Sequence, residues 1–142
     1  MLNELQVGEF LAALGERTPS PASGAATALT GALAAGLTEL AARFADDDDT
    51  VMKAKAALTR LVQLADEDSA AYGAFMADRN DETRARIIAV PEEIAEHSEA
   101  VADLAESVRD QLSSSVKGDA EAAIELGRAA ARVARRLAEL NA

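Results

Sequence analysis

Apolar positions recur along this chain at intervals of three and four residues, and no segment sustains the apolar/polar alternation of a half-buried strand. The pattern predicts an all-α fold of about five helical segments. The first, from about Asn3 to Leu14, carries Val7, Phe10, Leu11 and Leu14 on one stripe, with Gly15 as its stop. The run ERTPSPASG then reads as a loop, because Pro19 and Pro21 bias the residues before them away from helix. The second segment, about Gly24 to Phe44, is apolar or small on every side and belongs at the centre of a bundle. Gly31 and Gly36 within it would each cost about 1 kcal/mol relative to Ala in an exposed helix, a cost usually offset by close approach of a neighbouring helix.

The third segment, about Thr50 to Met76, presents Val51, Leu58, Leu61, Val62, Ala65, Tyr72, Phe75 and Met76 as a core face. The fourth begins near Asp81 and meets Pro91, which predicts a kink or a fresh start. Its stripe continues through Ile94, Val101, Leu104, Val108 and Leu112. SSSVKG reads as a break, and the fifth helix as running from an Asp119 N-cap to about Leu140, with Ala123, Ile124, Gly127, Ala131 and Ala134 along its stripe. Short connections between long helices predict mostly antiparallel neighbours. The expectation is one helical domain, residues 1–142, around a central Ala/Gly-rich helix. Small-residue faces of this kind suit helix contact and favour an oligomer, with a homodimer as the simplest form.

Charge narrows the partners. With 14 basic and 25 acidic residues the net charge is −11, which argues against nucleic-acid binding and against attachment to an anionic membrane. There is no Cys and a single His, His97, so neither a disulfide framework nor a thiolate or multi-histidine metal site is available within one chain. The cysteine count is compatible with a reducing, cytoplasmic setting. The N-terminus lacks the basic start and apolar stretch of a secretory signal. Ala22 to Thr38 is uncharged but short for a membrane span and rich in Ala, Gly, Thr and Ser, so a buried helix is the expectation. The acidic run Asp46–Asp49 matches no calcium loop and reads as a solvated turn with Asp49 capping the next helix.

One carboxylate stands apart. In LADEDSAAY, the residues three and four positions from Asp68 are Leu64, Ala65, Ala71 and Tyr72, so Asp68 points inward. A buried carboxyl has a raised pKa and can trade protons near neutral pH. The other reading of Asp68 is an ion pair with a basic residue such as Arg60 or with a neighbouring subunit. His97, between Ile94 and Val101, reads as a core or interface histidine or as a second proton-transfer group. Ser23, Gly24 and Ala25 open the second helix, where free backbone N–H groups attract anions, or where Ser23 is simply the cap.

Three segments, in order, resemble one family. PSPASGAATALTGALAAGL (Pro19–Leu37) resembles the proline- and glycine-rich entry to the long helix of the formimidoyltetrahydrofolate cyclodeaminase and methenyltetrahydrofolate cyclohydrolase family. LADEDSAAYGAFM (Leu64–Met76) resembles its D-x-D-x-x-A-[YF] helix, and VPEEIAEHS (Val90–Ser98) its V-P-x-x-[IL]-A-E segment. The family's Gly-Gly-Gly-Ser is represented here by Ala22, Ser23, Gly24 and Ala25, which adds side-chain bulk. The resemblance implies a homodimeric helical fold acting on a tetrahydrofolate derivative, with no metal or redox cofactor. It implies Asp68 as the general acid/base and a substrate pocket lined by Pro21, Ser23, Gly24 and Tyr72. A bundle that keeps this architecture as a non-catalytic interaction protein is the alternative expectation, motivated by the altered glycines.

Overall fold

A computed structural model describes residues 1–142 as a short 3-10 turn (Leu2–Glu4) followed by α1 (Val7–Gly15), α2 (Ser23–Phe44), α3 (Asp48–Ala77), α4 (Asp81–Arg109) and α5 (Ser114–Asn141). There is no strand, and the fold is all-α as the periodicity predicts. The last four helices form the bundle. Arg60 and Glu67 on α3 meet Glu93 and Arg86 on α4, so seven residues up one helix is seven down the other. Glu99 and Glu106 on α4 meet Arg135 and Arg128 on α5 in the same sense. Gly24 faces Asp68 and Gly31 faces Leu61 across α2 and α3. Consecutive long helices are therefore antiparallel.

α2 lies at the centre, packed against α3, α4 and α5. By length and composition it could cross a membrane, yet about half of its most apolar window is buried by protein. Its core face is mostly Ala, with Gly31 at the closest approach: a Cβ there would stand 2.5 Å from Ser98 Oγ. Gly127 on α5 is confined in the same way, since a Cβ there would stand 3.0 Å from the Ser98 carbonyl oxygen. Gly36 is not under this demand, since its Cβ would meet only Leu58 at an ordinary 3.7 Å. The buried Thr27 and Thr38 donate their hydroxyl protons to carbonyls one turn back, Ser23 and Ala34, so their burial leaves no orphaned group.

Element boundaries depart from the sequence reading where packing or capping overrides local pattern. α1 starts at Val7, behind a capping box between Gln6 and Glu9, and residues 2–4 turn separately. α1 buries none of its residues, and Val7 and Leu11 are largely exposed. Asp47, not Asp49, caps α3 by accepting the Thr50 N–H at 3.1 Å, while Asp49 pairs with Lys53. Asp46 makes the preceding turn with φ of 53°, a left-handed conformation that Asp tolerates. α4 does not restart at Pro91 but passes through it. α5 begins at Ser114, so SSSVKG is helical after its first residue and Asp119 lies inside the helix. The reason is tertiary: Val116 and Ala120 pack with Ala41, Val108 and Leu112 in a small core at that end, which outweighs the helix cost of Gly118.

Candidate active site

Where the start of α2, the middle of α3 and the end of α5 converge, the bundle leaves an open cleft of about 230 Å³. Pro19, Ser20, Ala22, Ser23 and Gly24 form one wall. Asp68, Ser69 and Tyr72 form the second, Ile87 and Pro91 the third, and Leu137 and Asn141 close the end. Of the residues expected from sequence, Asp68, Ser23, Gly24 and Tyr72 are brought together here. Pro21, whose peptide with Ser20 is cis, is half-buried and does not line the cleft.

Three consecutive carboxylates on α3 have three fates. Asp66 faces the N-terminal turn, accepting the Leu2 N–H at 3.0 Å while its Oδ2 is buried without a partner. Glu67 faces outward into an ion network in which Arg60 binds both Glu67 and Glu93 at 2.7 Å. Hydrogen bonds from Arg60 hold both of those carboxyls below their ordinary range. Asp68 faces the cleft. Arg60 is wholly engaged by Glu67, Glu93 and Gln63, so the expected alternative of an Arg60–Asp68 pair is not formed within the chain. Burial pushes the Asp68 carboxyl above its ordinary value, and no nearby cation offsets it.

The placement of Asp68 depends on Gly24. Any Cβ at Gly24 would overlap the Asp68 carboxyl group, so the glycine supplies the space that group occupies. α2 has no side-chain cap. Its N-cap is Ala22, and Ser23 is already helical. The first backbone N–H groups of α2 therefore stand free at the cleft wall, a setting that favours electron-rich ligand atoms. His97 is outside this site. It is partly exposed on α4, with Nε2 3.6 Å from Glu93 Oε1, and lies beside the ion network rather than in the core.

Ser69, Ile87, Leu137 and Asn141 were not identified from sequence as site residues, and Pro91 was read as a helix breaker and as part of the family's V-P segment, not as a site residue. Pro91 could have been suspected from the V-P segment, whereas Ile87 precedes that segment. Asn141 carries no local signal.

The fold and cleft define a class: an all-helical bundle with an unpaired, half-buried carboxyl between a glycine at a helix start and the end of the last helix. Residues 6–142 match the family described as formiminotransferase-cyclodeaminase, and the chain belongs to that family. The fold is similar to the crystal structure of formiminotetrahydrofolate cyclodeaminase from Thermotoga maritima, with a TM-score of 0.92 and 22% identity over 99% of this chain and 80% of that one. No match was found among curated proteins.

Proposed function

We propose that this protein acts on a tetrahydrofolate derivative, either closing a 5-formimidoyl group to the methenyl form with loss of ammonia or interconverting methenyl and 10-formyl forms with water. The observation that carries this reading is Asp68: a half-buried carboxyl with a raised pKa and no protein partner, open to the cleft of a cyclodeaminase-family bundle. As a neutral acid it donates a proton to the departing amine. As a carboxylate it takes a proton from water adding to the methenyl carbon. Burial makes the neutral acid more accessible than it is for an exposed carboxyl. Neither reaction changes oxidation state, so acid/base chemistry suffices and no redox cofactor is required. The wall from Pro19 to Gly24 and the Tyr72 ring line the space for the ligand.

Isothermal titration with tetrahydrofolate and 5,10-methenyltetrahydrofolate tests the reading. Saturable binding at micromolar concentration is the expected result. Absence of binding by well-folded protein would overturn it in favour of a non-catalytic interaction protein.

The same reading includes a homodimer in a cytoplasmic setting. The support for the dimer is the outer side of α2, where Leu33 is 67% and Phe44 63% exposed with Leu40 between them on one stripe. Light scattering is expected to give about twice the 14.8 kDa chain mass, and a stable monomer would refute the dimer.

A further inference from the structure

Pro91 sits within α4 and has no N–H to return to the carbonyl four residues earlier, that of Ile87. A carbonyl orphaned beside a packed core needs another donor. It finds one 54 residues away: Asn141, in the last turn of α5, donates its side-chain Nδ2 to the Ile87 carbonyl at 2.8 Å. This bond also fixes which way the amide faces. A carbonyl can only accept, so the nitrogen must be toward Ile87 and the oxygen away from it. Asn141 Oδ1 receives no hydrogen bond from the protein, and it is not among the buried unpartnered atoms. Asn141, Ile87 and Pro91 all line the cleft that holds Asp68.

We propose that Asn141 is a ligand-binding residue of this cleft: anchored through Nδ2 to the carbonyl that Pro91 leaves free, it presents Oδ1 as a fixed acceptor to a ring N–H donor of the bound reduced pteridine. The inference rests on the folate reading above and extends it. Asp68 handles the proton, and Asn141 holds the ring in register with it. An acceptor whose orientation is set before binding loses little freedom when the ligand arrives, which favours affinity and selectivity for an N–H at that point.

The test separates this role from simple capping of Ile87. Pro91→Ala restores a backbone N–H at position 91, and the two lone pairs of the Ile87 carbonyl accept both that N–H and Asn141 Nδ2, so the carbonyl stays satisfied when Asn141 is truncated. Tetrahydrofolate affinity is then compared between Pro91→Ala and Pro91→Ala/Asn141→Ala by titration, with thermal melts on both. The expected result is a Kd about fivefold to tenfold weaker in the double variant, the worth of one neutral hydrogen bond, with melting temperatures that agree closely. Equal Kd values for the two proteins would overturn the inference while leaving the folate reading intact, since Asn141 would then serve only the carbonyl. Absence of tetrahydrofolate binding by the unsubstituted protein would overturn both.

Discussion

Asp68→Asn is expected to lower kcat by about 10²- to 10⁴-fold, the range spanned by a general acid/base, while the bundle stays folded. Asn matches Asp in shape and cannot exchange a proton at this position. Nothing structural is lost, because Asp68 makes neither a hydrogen bond nor an ion pair within the chain: its neighbours Asp66 and Glu67 hold those contacts. Retained activity in the variant would remove Asp68 from the chemistry.

The same substitution has a signed effect on stability. The folded-state pKa of Asp68 lies above its ordinary value because burial penalises the charged form. The folded protein therefore holds this proton more tightly than the unfolded chain. The stability linked to it is fully present below the ordinary carboxylate pKa and is lost as pH rises through the raised one. Once ionised, the half-buried group is a net cost, and Asn removes it. The variant should melt at or above the temperature of the parent protein at pH 7, and the difference should close on acidification. A clear fall in melting temperature at neutral pH would mean that Asp68 has a structural partner, such as a neighbouring subunit.

Helix content, the central place of α2 and the inward face of Asp68 were legible because each depends on residues three and four apart on one helix. Gly31 was legible by the rule that a glycine in an otherwise buried helix implies a close neighbour, here Ser98, but the same rule overreached at Gly36, whose added Cβ would meet only Leu58 at an ordinary distance. What the sequence left open depends on long-range geometry. Spacing could not decide between Arg60 pairing with Glu67 or with Asp68, since the two acids are adjacent on α3. The outcome turned on Glu93 arriving from α4 to complete the network. The start of α5 was misplaced because Val116 gains burial from Val108 and Leu112 that no local pattern announces. Asn141 was invisible for the strongest reason. Its partner is a backbone carbonyl freed by a proline on another helix, and main-chain groups leave no trace in residue type.

Gly24→Ala is expected to lower kcat/KM by about 100-fold, the scale associated with misplacing a reacting group by about 1 Å, although Gly24 itself has no side chain to contribute. The new methyl group would occupy the space of the Asp68 carboxyl. That group can yield by rotating about its own side-chain torsions, because it is the free end of a side chain and not part of the packed backbone. The steric cost is thus relieved at the expense of geometry: the carboxyl leaves its position against the start of α2. The gain in helix propensity of about 1 kcal/mol for replacing a helical Gly opposes an overpacking cost of about 1–3 kcal/mol, and because the carboxyl can turn aside the net loss should fall at the low end of about 0–2 kcal/mol. Kinetics alongside thermal melts distinguish this from general damage. A large fall in activity with a melting temperature near that of the parent places the defect in the position of Asp68. Unchanged activity would show that the carboxyl works equally well elsewhere, and that this glycine serves only the approach of α2 to α3. Gly31→Ala is the contrasting case on the same helix. There the methyl group would meet the buried Ser98 hydroxyl, which is held between α2 and α5 and has no cleft into which to move. Its defect should appear in stability, so the two glycines, seven residues apart on one face, separate the helix's role in the site from its role in the core.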